Sequence, residues 1–562
     1  MPILAIEEFS GGRNTRDAQN AIPKSQSPDC ENVWYENNAL LKRRGMTVTT
    51  ISLNNLSPVP EQIKATQLAA SNLMRLVIIG KVGPVTRYLV TTDNGTAFAW
   101  AGYVVGTCST AGSSTTVTGA GGTAWSTHIA IGDYFLPAGG LMNRITNVGG
   151  AGTITVTSAV TLAGGTSYII LKEIATGSPA GMALFDRSGT QNLFIFDGTH
   201  AYRYDGTNVY NATGSPPAGK IVISHKGYLF VLRHNDTDIR WCALRDADTW
   251  TAANYQTVTT VGDPTRGAIV YGDAIIIFTR SRMFRFVGDV FNPSAPTYAL
   301  QEIPVPPNFN FMFSRSAVVH NGVLKFLATD GWYAYSGGNE LVKMSDIIQT
   351  DVDAFRRLAY APEAMVDAAV GFIHSGDMYC SVPDNNEVPA DQLNCLYVQD
   401  DKNAWWKWPT SPLLGSAAGS LSDFALVKFG ASGTYQLWAG NVQTNQISRI
   451  DVGSSDDVYA ITAYWKSREI IMPSDVEFIE AEVLMKKQSA GNLTFSFSVD
   501  QRTLVDKTCD MSAGAGNIIR KTIPIGRVGK SLQLKVLNAT LAQGFEIYRI
   551  EILYQPSEAR RT

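Results

Sequence analysis

Apolar and polar positions alternate in short bursts along most of this chain. "LMRLVIIGKVGPVTRYLVTTDNGTAFAWAG", Leu73 to Gly102, reads as strand, turn, strand, Asn94-Gly95 hairpin, strand. The last part of that unit recurs. "LVTTDNGTAFAWAG" (89–102), "LFIFDGTHAYRYDG" (193–206), "AIIIFTRSRMFRFVG" (274–288) and "LKFLATDGWYAYSGG" (324–338) share an apolar strand, a turn, two aromatics at i and i+2, and a glycine. Aromatics at that spacing lie on one face of a strand, a face that a single hairpin cannot bury and that stacked units can. Related strand sets at 225–250, 374–408 and 423–440 bring the count to six or seven units of a β-propeller; a β-sandwich with accessory strands is the competing arrangement.

Three regions break the repeat. Residues 1–60 are rich in Asn and Pro without a sustained period and predict an extended arm. Residues 103–177 are dense in Gly, Thr and Val alternation and predict a small β-barrel inserted into the propeller, which otherwise covers 61–102 and 178–454. From 455 to 562, six alternating segments predict a C-terminal β-sandwich, with a turn at Gly529-Lys530-Ser531. One helix is predicted within 345–365, where Ile348, Val352, Phe355 and Ala359 share a face behind a Ser345 or Asp346 cap. The fold class is thus all-β: a propeller, an inserted barrel and a terminal sandwich.

Composition sharpens this picture. Charged residues make up 17% of the chain while 50 of its 562 residues are glycine, the balance of short strands joined by tight turns. A formal charge of −3, from 46 basic and 49 acidic residues, provides no global field for nucleic acid or anionic membrane. Six dispersed cysteines without a C-x-x-C pair, and a start that lacks a leader's basic and apolar runs, predict free thiols in a chain that is not exported. No stretch is apolar enough to predict membrane insertion.

Candidate chemistry is sparse. The Gly529-Lys530-Ser531 run lacks the earlier glycine of a phosphate-binding loop, having Pro524 there, and precedes a strand pattern where such a loop needs a helix. "GAGGTA" from Gly119 is turn chemistry in a β segment. His128, His200, His225, His234, His320 and His374 have no metal-ligand spacing, and three of them precede Asn-Gly-like turns. Asp93, Asp197 and Asp330 read as turn formers. "TTDNGTAF" resembles the Asp box of sialidase-type propellers, a rim element remote from catalysis. Trp405, Trp406 and Trp408 fit a sugar-stacking patch or, better, a blade strand with Trp406 and Trp408 filling the space between blades. No catalytic residue, cofactor or metal site is expected, and the chain is read as a non-enzyme.

The opening stretch adds a resemblance. "FSGGRNTRDAQNAIPKSQSPDCENVWYENNALLKRRG" resembles the N-terminal signature of bacteriophage tail nozzle proteins (tail tubular protein B) of short-tailed phages, carried here by Gly11-Gly12, Pro23, Pro28, Asn32-Val33-Trp34, Leu40-Leu41 and Arg43-Arg44. The inserted module and the end of the chain are similar to parts of such proteins, while the blades match only in style. The resemblance implies a virion tail protein assembled in the host cytoplasm into a ring, a homo-hexamer, below the head-to-tail adaptor. That ring would support fibres or tailspikes and let genomic DNA pass without specific binding. A near-neutral chain suits a conduit, because each basic contact to phosphate adds affinity. Trp34, Leu40, Leu41, Arg43 and Arg44 are the expected subunit or adaptor contacts. The alternatives are a carbohydrate-binding or glycosidase-type propeller, and a different tail hub or fibre-adaptor protein.

Overall fold

The computed structural model describes the chain except residues 1, 54–55, 69–73, 84–85, 176–178, 234–235, 261, 289, 291–296, 308, 312–314, 357–368, 383–394, 411–420, 431–432, 442–443 and 558–562. Seven four-stranded antiparallel sheets form the propeller. Blades 1 to 6 take consecutive strands, from Val59–Gln67 at the start of blade 1 to Trp405–Pro409 at the end of blade 6. Blade 7 takes Leu421–Val427, Gln436–Asn441 and Gln446–Ile450 from one place and its outer strand, Met46–Thr50, from the other end of the chain. The predicted units thus number seven, and the four aromatic hairpins belong to blades 1, 2, 4 and 5.

The second strand of each blade explains the near-continuous apolar runs. In Ala274–Thr279, Ile275 and Ile277 pack toward blade 3, whereas Ile276 and Phe278 pack toward blade 5. Leu193 and Ile195 face blade 1, and Phe194 and Phe196 face blade 3. Alternation persists, but both faces are covered by neighbouring blades, so both must be apolar. The aromatics Tyr202 and Tyr204 or Phe284 and Phe286 fill these same spaces.

Hairpin chemistry follows the histidine positions. Lys226-Gly227, Asn321-Gly322 and Ser375-Gly376 have φ of +49° and +78°, +51° and +75°, and +53° and +90°, as two-residue turns with both central residues left-handed require. His225, His320 and His374 immediately precede them, and His320 Nε2 lies 2.6 Å from the Gly376 carbonyl of the next blade. His234 lies outside the described residues. The Asn94-Gly95 hairpin is present, with Thr86–Thr92 and Ala99–Ala101 paired antiparallel across a loop wider than a two-residue turn. There Asn94 Oδ1 accepts the backbone N–H groups of Thr96 and Ala97 at 2.9 and 2.8 Å.

The insertion is a six-stranded sheet, Thr107–Ser109 through Tyr168–Leu171, whose ends are brought together by bridges from Tyr103 to Ile170 and Cys108 to Thr166. Its core holds Val117, Trp125, Phe135, Ile145 and Tyr168, with Trp125 Nε1 donating to the Tyr168 hydroxyl at 2.9 Å. It is the expected small barrel.

The C-terminal region is an 11-stranded sheet folded around one core. Two expected strands and the turn between them are one strand, Ile518–Asn538. Its first half pairs with Ile470–Lys486, and its second half also meets Asn492–Val499. At the predicted turn, the Lys530 and Ser531 N–H groups donate to Asp500 Oδ1 at 2.8 Å each, satisfying backbone donors by the chain's own carboxylate. Four strands of this sheet come from the N-terminal region: Ile3–Ile6, Cys30–Glu31, Val33–Glu36 and Ala39–Lys42.

The extended N-terminal arm is packed, with Phe9 and Ile22 at 0% and 1% exposure. Its strands are too short for a sequence period to mark them. The predicted helix is confined, among described residues, to a 3-10 turn Asp346–Ile348 and Gln349–Arg356, and Ala359 lies outside the described residues. Ile348 and Val352 pack between blades 5 and 6. Ser345 stands at the N-cap of the 3-10 turn without a side-chain capping bond; its Oγ accepts the Trp332 N–H at 3.0 Å.

Removing residues 1–45 is expected to lower the melting temperature, because the sandwich loses four strands and the cover over Trp465 and Trp408. Extending the deletion through Thr50 is expected to lower it further by opening blade 7. Circular-dichroism melts of both truncations check this, and an unchanged transition in the longer deletion would contradict it.

Candidate functional site

The N-terminal signature is a clasp built from three close contacts. Gly12, at φ +65°, lies so near the Trp405 carbonyl that a Cβ would come within 2.5 Å of it. Asn32, also left-handed at φ +55°, donates through Nδ2 to the Thr462 carbonyl at 2.8 Å and accepts Arg43 Nε at 2.7 Å. The Arg43 guanidinium then grips Asp456 with both terminal nitrogens, at 2.9 and 2.5 Å, and both side chains are buried. This two-pronged geometry suits Arg and not Lys.

Between Asn32 and Arg43 runs a hairpin, Val33–Glu36 and Ala39–Lys42, turning at Asn37 and Asn38, with φ of +51° and +59°. Leu40 is fully buried where this hairpin pairs with the C-terminal strand Glu546–Pro556. Trp34 packs against Trp406 and Trp408, with ring centroids 5.9 and 5.5 Å apart.

Leu40 and Arg43, two of the five residues expected to meet a partner, are thus spent inside their own chain. Trp34, Leu41 and Arg44, with the edge of Arg43, line a cavity of about 660 Å³ between the hairpin and blades 6 and 7. The Trp cluster is core: Trp405 packs toward blade 5, while Trp406 and Trp408 pack on the opposite side with the sandwich, as strand alternation predicts.

The cavity carries chemistry that no spacing in the sequence marks. Aromatic rings of Trp34, Tyr35, Tyr379 and Trp408 share its lining with the carboxylates of Glu36, Asp377, Asp400, Asp401 and Asp451. Asp377 follows the first hairpin turn of blade 6, Asp400 precedes its last, and Asp451 follows a strand of blade 7, so only the folded ring brings them together. Asp400 accepts the backbone N–H groups of Lys402 and Ala404 through Oδ1 and the indole N–H of Trp406 through Oδ2. Arg44 Nη1 lies 3.6 Å from Asp451, and Lys402 Nζ sits 5.0 Å over the Tyr35 ring.

Burial, with the charges of Asp400 and Asp401, pushes the Asp377 carboxyl up to about 7. Burial likewise raises Asp400 and Asp451, the latter opposed by Arg44. A carboxyl that keeps its proton near neutrality beside other carboxylates can donate to a hydroxyl-bearing ligand held against aromatic faces. Of the three aspartates read as turn formers, Asp93 pairs with Arg75 Nε at 2.9 Å and Asp330 accepts the Tyr333 hydroxyl at 2.7 Å, while Asp197 behaves as the expected turn former. Asp197 accepts the N–H groups of Ala175 and Thr199, both at 2.8 Å.

An unfolded Asp releases its proton near pH ~3.9, while Asp377 holds it to about 7. Over that window the folded chain binds the extra proton, so stability falls as pH rises through it. Asp377→Asn, with no proton to lose, is expected to raise the melting temperature at pH 8 and leave it near the parent's at pH 4. Thermal melts at the two pH values check this, and equal shifts would contradict it.

No protein-family model and no curated protein matches the chain. Solved structures match it distantly. An exo-β-1,3-galactanase from Phanerochaete chrysosporium is 10% identical over 67% of this chain and 96% of its own, with a TM-score of 0.23. Hsv2 from Kluyvelomyces marxianus is 10% identical over 48% of this chain and 70% of its own, with a TM-score of 0.29. A family 35 carbohydrate-binding module is 16% identical over 26% of this chain and 96% of its own, with a TM-score of 0.13. At these scores the likenesses assign no activity to this chain, and the propeller stands on its own strand pairing. They do correct one expectation: with an exo-β-1,3-galactanase among the matches, the exclusion of enzymatic activity does not stand.

Proposed function

We propose that this chain is a structural protein of a bacteriophage tail, a nozzle subunit that assembles into a ring, a homo-hexamer, below the head-to-tail adaptor. The observation that carries the reading is the clasp. Gly12, Asn32, Trp34 and Arg43, the residues of the signature, have roles that couple the arm to blade 6 and to the sandwich. A segment built this way keeps its spacing for structural reasons, and it leaves the outer faces of the blades, the barrel and the sandwich for neighbours. In this reading DNA passes between subunits, fibres or tailspikes take the outer surface, and the protein resides in the virion tail.

The purified protein, alone or mixed with its adaptor ring, is expected to give ring-shaped particles with a central channel in negative-stain micrographs. A strictly monomeric protein that also fails to join adaptor rings would overturn the reading.

A second reading, carbohydrate binding, is favoured by the clasp cavity, where aromatic faces and carboxylates share one lining. Glycan-array binding that is lost in Asp377→Asn and Tyr35→Ala would support it. Silence of the parent protein on the array would remove it.

A further inference from the structure

The basic side chains of the clasp cavity are already placed. Arg43 grips Asp456, Lys42 Nζ donates to Asn538 Oδ1 at 2.9 Å and to the Thr540 carbonyl at 3.2 Å, Arg44 lies 3.6 Å from Asp451, and Lys402 sits 5.0 Å over the Tyr35 ring. Three carboxyls of the same lining have no such partner: among the described residues, no basic group lies within ion-pair distance of Glu36, Asp377 or Asp401. These three act on one another. Burial comes first in raising Asp377, followed by the charges of Asp400, Asp401 and Glu36.

A second group points into the same space. Tyr379 is 6% exposed, and its ring meets that of Trp408 edge-on at 5.8 Å. Its hydroxyl makes no hydrogen bond among the described residues. Burial and the charges of Asp377 and Asp451 raise its proton affinity, which sets the hydroxyl beside two carboxyls of the lining. A buried hydroxyl without a partner costs free energy that a ligand atom would recover.

The ligand that answers these groups carries positive charge and hydroxyls together. The rings already accept cations from the chain itself, Lys402 over Tyr35 and Arg43 at 5.9 Å over Trp408. A single metal ion is a poor match, because no three carboxyl, His or Cys side chains among the described residues converge closely enough to hold one. A neutral sugar supplies hydroxyls but no charge, whereas an extended organic cation reaches carboxyls that are spread along a wall. The volume of about 660 Å³ falls within the range of small-molecule sites. We infer that the clasp cavity binds a glycan bearing free primary amino groups, with its ammonium groups facing Glu36, Asp377 and Asp401 and its hydroxyls and ring faces held by Tyr379 and Trp408. This rests on the carbohydrate reading of the same cavity and names the class of sugar.

Isothermal titration of the full-length protein at pH 6 with a glucosamine trimer, and separately with its fully N-acetylated counterpart, at ionic strength matched with sodium chloride, tests it. The glucosamine trimer is expected to bind at one site with a Kd of about 1 mM or tighter, and the N-acetylated trimer about tenfold more weakly or not at all. Asp401→Asn and Glu36→Gln are each expected to weaken the glucosamine trimer about tenfold, and Asp510→Asn on the sandwich to leave it unchanged. Two variants on separate elements keep the test valid if one fails to fold, which circular dichroism reports. Equal affinity for the two trimers would overturn the amine assignment and leave carbohydrate binding standing. Failure of the glucosamine trimer to bind, or binding indifferent to both cavity variants, would overturn the inference, and the glycan array then decides the carbohydrate reading on its own.

Discussion

Five residue pairs between Met46–Thr50 and Gln446–Ile450 close the ring, and the rest of the architecture follows from that pairing. Blade 7 is complete only when positions some 400 apart in the chain meet. This closure costs loop entropy that the blade-to-blade cores must offset. It also fixes where both chain ends emerge. Gly45 and Val452 are hydrogen-bonded at 2.9 Å, so the arm before the closing strand and the sandwich after blade 7 start from one point. Two segments that leave a propeller side by side, each with unpaired strand edges, can satisfy those edges on one another. The shared 11-stranded sheet is that solution.

Within this junction the Arg43–Asp456 pair specifies geometry more than it adds stability. Desolvating both charges costs about as much as their attraction returns, whereas removing one partner strands the other in the core. Asn32 and Trp408, which contact the same guanidinium, leave it few other orientations. The basic pair of the signature, which in the sequence could suggest a nucleic-acid patch, divides into Arg43, buried in its pair with Asp456, and Arg44, exposed at the clasp cavity that both line.

Much of this was legible in the sequence, and the failures have physical causes. Aromatics at i and i+2 marked blades because alternation survives burial on both faces. The count stayed between six and seven because blade 7 draws a quarter of its strands from a segment that precedes blade 1. The arm hid its order because strands such as Cys30–Glu31 and Val33–Glu36 are too short to show a period and pair far along the chain. Gly529-Lys530-Ser531 suggested a turn in what is a single strand; the register shifts by Ile471 and Phe478 absorb the irregularity as bulges. The carboxylates of the clasp cavity were invisible as a group, since each alone is an ordinary turn residue.

One strand relates two cavities. Val370–His374 places Gly371 and Phe372, near its start, on a cavity of about 360 Å³ lined by the first strands of the seven blades, while Ser375 and Asp377, just past its end, line the clasp cavity. The strand direction therefore separates two linings: Lys64, Lys220, Arg266, Arg315 and Asp423 lie where inner strands begin, and where blade 6 turns back five carboxyl side chains share a lining with Lys42, Arg43, Arg44 and Lys402. Four or five residues of strand span about 15 Å, beyond the screening length of about 8 Å at physiological salt for solvated charges, though not for charges joined through a dry blade. A net charge of −3 is therefore a poor guide to this surface, because acidic and basic side chains gather unevenly in the two linings and cancel in the sum.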